Sequence, residues 1–332
     1  MKRLFLVAVA ASVLCFAPQV FCQKLLKGID IGGQPGTPAV NTITNMIYIP
    51  NSGLNTLTVI SGSSGGIVTD IPVGPGPLAA AVNPTTNLVY VSTSSAIDVI
   101  DGSSNTVATT VPVSSPGSIA VNSATNLVYF LSGASDVSVL NGSTNQIDGT
   151  VHVGLACCSQ GIAVNSTTNR VYVSERPFLS ESELVVINGS TNKFVSFELP
   201  GVSSPGAPVV DSQLNRVYIS DDSLGGLYVI NGSTVTVLEE VLPTYHGPVA
   251  LGSTSHNIAD FDFPLGVPGL SFFGAQGFVQ VGVTVNFPQR QSPSSIVAGT
   301  SNRYYVTFSD NNSIAVITGP ESAPPSGTRR RK

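Results

Sequence analysis

The chain has 332 residues, and only 10% of them are charged: 14 Lys and Arg against 19 Asp and Glu, for a formal net charge of -5. Soluble proteins average about 25% charged residues; here 33 Gly and 23 Pro stand among abundant Ser, Thr and Asn, a turn-rich composition suited to short strands. No Lys or Arg occurs between Lys27 and Arg170, so the body lacks the basic stripe of nucleic-acid-binding proteins, and no nucleic-acid partner is expected.

Residues 1–22 differ from the rest. Lys2 and Arg3 precede an apolar run over residues 4–17 and then "PQVFC", the order of a secretory signal peptide. The run falls short of the roughly 20 residues a membrane span needs. Cleavage after Cys22 is therefore expected, leaving no transmembrane segment and a secreted or periplasmic protein of the cell envelope. Two cysteines would remain, the adjacent Cys157 and Cys158. They provide no disulfide framework, so residues 23–320 must cohere through a core, for which they are numerous enough.

The segment "LLKGIDIG" (25–32) reads as a strand without a neighbouring partner, and a repeat begins after it. The repeat's marker is the Tyr of an Asn-x-aliphatic-Tyr segment: Tyr48, Tyr90, Tyr129, Tyr172, Tyr218 and Tyr305, at spacings of 42, 39, 43, 46 and 87. The last spacing is close to two periods, which predicts a worn copy over residues 248–288 and seven copies in all. One copy resolves into four short strands: "GSIAVN" (117–122), "LVYFLS" (127–132), "VSVLN" (137–141) and "IDGTVHV" (147–153). Between them lie "NSATN" and "NGSTN", where Asn, Asp and Gly are expected to take left-handed positions.

Four strands per period of about 40 to 45 residues is the signature of a β-propeller, one blade per period. The second strands are apolar throughout, as for a sheet covered on both faces, and the first strands ("PLAAAVN", "GIAVN") are small, as suits the crowded axis. The last copy stops after "SIAVITG" (313–319), and the orphan "LLKGIDIG" would supply its missing fourth strand, hiding two sheet edges. The expected fold is all-β: a seven-bladed β-propeller of four-stranded blades, its ring closed by the N-terminal strand completing the last blade.

The stretch "LVYVSTSSAIDVIDGSSNTVATTVPVSSPGSIAVNSATN" (88–126) resembles the YVTN-repeat β-propellers, secreted or envelope proteins of prokaryotes. The resemblance spans roughly residues 24–320, strongest in copies two to five and weakest in copy six. It implies fold and compartment. Members include surface-layer and lactonase-like proteins, and no catalytic set carries over residue by residue.

In a propeller the fourth-to-first and second-to-third connections share one face around the axis, and ligands bind there. From marker Tyr to third strand takes 12 residues in copy four and about 18 in copy six, against 7 to 9 elsewhere. These loops supply the binding candidates: Glu175, Arg176, Glu181 and Glu183 in "SERPFLSESE", Asp221 and Asp222 in "SDDSLGG", Tyr245 and His246 in "PTYHGP", and Arg290 in "PQRQSP". His246 is the candidate acid or base; His152 belongs to an outer strand and His256 to an opposite-face turn. Cys157 and Cys158 are a candidate vicinal disulfide.

No phosphate loop, H-E-x-x-H or EF-hand pattern occurs, so no cofactor and no metal are expected. "GSSGG" (62–66) fits G-x-S-x-G but falls in a hairpin turn. Residues 321–332 form a Pro/Ser/Gly-rich tail ending in the basic cluster Arg329 to Lys332, expected to be disordered and suited to weak envelope association. The expected function is a secreted or periplasmic binding module with a protein or small-molecule ligand at the loop-rich face of blades four to seven. The alternatives are a lactonase-like or lyase-like enzyme at the same mouth and a structural envelope or surface-layer component.

Overall fold

The computed structural model describes residues 25–133, 136–153, 159–177, 181–223, 226–241, 246–252, 256–262, 269–274, 285–287 and 293–320. Their strands form seven four-stranded antiparallel sheets. Blade one comprises β2 (Ala39–Asn41), β3 (Met46–Asn51), β4 (Thr56–Ser61) and β5 (Ile67–Pro72). Blade two comprises β6 (Ala79–Asn83), β7 (Leu88–Ser92), β8 (Ala96–Asp101) and β9 (Thr106–Pro112), and blade three β10 (Ile119–Asn122), β11 (Leu127–Ser132), β12 (Asp136–Asn141) and β13 (Gln146–His152). Blade four has β14 (Ser159–Asn165), β15 (Arg170–Glu175), β16 (Glu183–Asn188) and β17 (Lys193–Glu198); blade five has β18 (Val209–Asp211), β19 (Arg216–Ser220), β20 (Leu227–Asn231) and β21 (Val237–Val241). Blade six has β22 (His246–Leu251), β23 (Ile258–Asp262), β24 (Gly269–Phe273) and β25 (Val285–Asn286). Blade seven has β26 (Pro293–Ala298), β27 (Arg303–Phe308) and β28 (Ser313–Thr318), and its fourth strand is β1 (Leu25–Asp30), paired antiparallel with β28.

The innermost strands touch in a closed cycle, β2 to β6, β10, β14, β18, β22, β26 and back to β2. The result is the seven-bladed propeller that the repeat predicts, and the N-terminal strand completes the last blade. There is no single core. Seven apolar clusters lie at the seven seams between neighbouring blades. Ile47, Tyr48 and Ile49 are all fully buried although they alternate faces, because neighbouring blades cover both.

The repeated polar residues join blades to one another. Asn83 Nδ2 at the end of β6 donates to Asn126 Oδ1 in the β10–β11 turn of the next blade at 2.7 Å. The same latch recurs as Asn41 to Asn87, Asn122 to Asn169 and Asn165 to Asn215. Each accepting Asn holds a left-handed backbone, φ 50–57°, which Asn tolerates better than most residues. Marker tyrosines reach the same seams: a Cβ on Gly142 would sit 2.7 Å from Tyr90 Oη and 2.6 Å from Asn126 Oδ1. The glycines of the Asn-Gly and Asp-Gly turns are therefore required for close approach. This refines the sequence expectation, since the left-handed residue of these turns is the Asn at the end, Asn105, Asn145 or Asn192, while Gly102, Gly142 and Gly189 are absent from the positive-φ set.

Blade six lacks the signature and is held by aromatic packing instead. Phe272 meets Tyr304 of blade seven edge-on at 5.0 Å between centroids; Phe287 packs on Phe261 at 5.6 Å and on Phe308 at 5.1 Å. Such pairs contribute beyond the area they bury.

Candidate binding face

Three of the described connections leading into a first strand are fastened to the following blade. Between β1 and β2, Asn51 Nδ2 donates to Ile31 O at 2.9 Å, and Gly36 N donates to Pro50 O at 2.8 Å. Between β5 and β6, the buried Asp98 accepts from Gly74 N at 2.7 Å and from Thr110 Oγ1 at 2.6 Å. Between β17 and β18, Asp221 Oδ2 accepts from Ser203 N at 2.8 Å, while Asp221 Oδ1 accepts from Ser204 N at 3.1 Å and Ser223 N at 3.0 Å. This face is thus a platform of braced loops, suited to holding side chains in fixed positions.

Asp221 is a brace within that platform, since its buried carboxylate is occupied by loop amides. Asp222, next in sequence, is exposed and accepts from Ser220 Oγ at 2.8 Å. Glu175 ends β15 and is only 1% exposed, whereas Arg176 and Glu181 stand in solvent. Glu175, Glu183 and Glu198 face one another in register across β15, β16 and β17. This three-carboxylate row was not anticipated from the sequence. It follows from the loop length, which fixes which Glu of "SESE" opposes Glu175.

His246 opens β22 with its backbone opposite Asp262 at the end of β23. Tyr245, Arg290, Cys157 and Cys158 lie outside the described residues, as do residues 1–24 and 321–332. His152 is on outer strand β13, with Nδ1 2.7 Å from Asp136 Oδ1. His256 sits in the β22–β23 turn on the opposite face, where other blades place the latch Asn. Its Nδ1 is 2.7 Å from the buried Asp211 Oδ2 and its Nε2 3.0 Å from Gln213 Oε1, and it too holds a positive φ of 52°. No group of three or more His, Cys, Asp or Glu disposed to hold a metal occurs among the described residues, and no helix there is long and apolar enough to cross a membrane.

No family model matches the chain, and no curated protein does. Solved structures do. A chain of the mitotic checkpoint complex is similar over 97% of this chain and 99% of its own, with TM-score 0.76 at 11% identity. The β-propeller domain of Cps50 (Swd1) from Myceliophteria thermophila is covered in full by 90% of this chain, with TM-score 0.74 at 7% identity. A chain of hydrazine synthase from Kuenenia stuttgartiensis covers 86% of this chain, over 96% of its own, with TM-score 0.73 at 10% identity. At such identities the likeness establishes the β-propeller fold and nothing finer. The class of protein is a seven-bladed β-propeller.

Proposed function

We propose that the protein is a secreted or periplasmic interaction module that holds its partner or ligand at the loop-rich face of blades four to seven. The carboxylate row Glu175–Glu183–Glu198 carries the reading. Like charges directly opposite one another destabilise a sheet, yet this charge-poor chain places three Glu in line at the edge of that face, with Glu181 beside them. A cationic group on the partner offsets the repulsion between the two accessible members of the row, Glu183 and Glu198, when bound. The braced loops favour binding by a preformed surface.

The test is a thermal-shift series on the mature chain, residues 23–332, with divalent metals, lactones, cyclic peptides, quinones and oligosaccharides, each class including cationic members. A ligand at a hundred times its dissociation constant adds about 2.7 kcal/mol of stability. The expected result is a cationic ligand whose shift disappears in Glu181→Gln and Glu183→Gln. A shift that survives both variants overturns the reading, and no shift across the panel removes its small-molecule form in favour of a protein partner or a scaffold role. The alternative of a lactonase-like or lyase-like enzyme is favoured by one feature, the placement of His246 opposite Asp262. Turnover unchanged in His246→Ala would remove it.

A further inference from the structure

The outer strands form the rim of the ring, and most of them are guarded. Strands β5, β9, β13 and β21 each carry a register shift against their third strand, at Val59/Ile60, Val99/Ile100, Val139/Leu140 and Val229/Ile230. Strand β1 carries one at Leu25/Lys27, and only Val285 and Asn286 of β25 are described. Bulges twist an edge away from further pairing. Among the described outer strands, β17 alone is both long enough to pair and regular: its six residues run in unbroken register from Glu183–Glu198 to Asn188–Lys193.

The backbone of β17 can be oriented residue by residue. The Leu199 amide donates to Ser182 O at 2.7 Å. Counting back by twos, Phe197, Val195 and Lys193 turn their backbone groups to β16, and Glu198, Ser196 and Phe194 turn theirs outward. Phe194 and Val195 are 39% and 54% exposed. Beside them a crevice of about 390 Å³ separates β17 from the β20–β21 turn, lined by Val186, Val195 and Phe197 with Arg170 and Lys193 among its polar residues.

We propose that β17 accepts an extended segment of a partner protein as a fifth, antiparallel strand of blade four. The partner strand carries a basic residue opposite Glu198, apolar residues opposite Phe197 and Val195 on the crevice side, and an acidic residue opposite Lys193. The charge order argues against a second copy of this chain. In an antiparallel pair, opposed residues direct their backbone groups alike, so a two-fold pairing of β17 with itself centres on a residue, and the longest overlap falls on Val195 or Ser196. The first centre sets Lys193 opposite Phe197 and Glu198 opposite Asn192; the second sets Lys193 opposite Leu199 and Glu198 opposite Phe194. Neither brings Lys193 to Glu198, so self-pairing leaves both charges unmatched. A partner of opposite charge order matches both. This inference shares Glu198 with the carboxylate row, yet the two fail separately: Glu181→Gln and Glu183→Gln test the loop face and leave the outward backbone of β17 intact, whereas Ser196→Pro removes an outward amide of β17 and none of the row's carboxylates.

The test uses the mature chain with a hexapeptide blocked at both ends, Lys-Val-Thr-Val-Thr-Glu, and its charge-reversed counterpart Glu-Val-Thr-Val-Thr-Lys. Binding is read by amide hydrogen exchange, and self-association by light scattering. The expected result is slowed exchange at Phe194, Ser196 and Glu198, with about tenfold preference for the first peptide, since reversal turns two attractive cross-strand pairs repulsive. The exposed double variant Lys193→Glu/Glu198→Lys inverts the preference. Ser196→Pro, which removes an outward amide and no bond within the blade, abolishes binding without lowering the melting temperature. No slowing, equal slowing by both peptides, or a dimer that protects the same amides without peptide would each overturn the proposal.

Discussion

Asn126 combines three roles in one residue: a backbone at φ 55°, an Oδ1 that accepts from Asn83 of the preceding blade at 2.7 Å, and an Nδ2 that donates to Ser143 Oγ at 3.0 Å. Two substitutions separate them. Asn126→Gly keeps the backbone and loses both side-chain bonds, for an expected cost of about 1–2 kcal/mol. Asn126→Ala loses the same bonds and adds left-handed strain, about 1 kcal/mol more. Urea denaturation of both variants measures the two terms, and equal losses would mean that the left-handed position carries no strain. The marker tyrosines give a pH signature at the same seams. Burial raises the phenol pKa of Tyr48, Tyr90, Tyr129, Tyr172, Tyr218 and Tyr305 above the ordinary value of 10.0. Above pH 10 the unfolded chain sheds protons that the native chain retains, so stability is undiminished by these groups below pH 10 and falls as pH rises beyond it. Tyr129 Oη is buried with no hydrogen-bond partner. Tyr129→Phe should therefore leave stability near pH 7 unchanged or slightly higher and make the alkaline decline shallower. A decline of unchanged steepness would exclude Tyr129 as a contributor.

At the scale of strands and loops, what could be read from sequence tracks what repeats. In copy three the strand "LVYFLS" occupies residues 127–132 as read, and its neighbours agree within a residue or two, because apolar runs bounded by Asn-rich turns recur with one geometry. The regular edge of β17 was also present in the sequence, as a count. Asn145 to His152 is seven positions and Asn192 to Glu198 is six, with His152 and Glu198 each opposite the first residue of the third strand. That missing residue is the absent bulge. The candidate site was less legible because its loops do not repeat. In "SDDSLGG" Asp221 and Asp222 look alike, yet one is a buried brace and the other lies in solvent. No periodicity inside a loop tells which carboxylate turns inward. Blade six shows the same limit from the other side. Its marker tyrosine is gone, with Asp260 in that place after Asn257, and its seam with blade seven rests on Phe261, Phe272, Phe287 and Phe308, whose contacts come from long-range packing and follow no fixed spacing.

For the whole molecule the decisive feature is that a ring has no terminal blade, so every sheet face is covered only if the ring closes. Closure here is not covalent. It rests on the five-pair register of β1 with β28, on Ile29 and Ile31 buried in one cluster with Ile47, Ile49, Ile60, Tyr305, Ile314 and Val316, and on polar contacts across the seam. Among those contacts, Thr300 Oγ1 donates to Asn45 Oδ1 at 2.6 Å, Lys27 Nζ donates to Gly65 O at 3.2 Å, and the Arg303 guanidinium donates to Gly62 O. Truncating one buried Ile to Ala costs about 2–5 kcal/mol. Deleting residues 23–32 removes two such residues and exposes the edge of β28, a loss comparable with the 5–15 kcal/mol that stabilises a typical domain. The expected outcome is a large fall in melting temperature, and an unchanged melting temperature would refute closure by β1. A synthetic peptide of residues 23–32 added to the shortened chain should raise the melting temperature with rising peptide concentration, since binding to the native ring alone stabilises it by mass action. Ile29→Ala in the full chain, which keeps the strand and removes one anchor, should fall between the two.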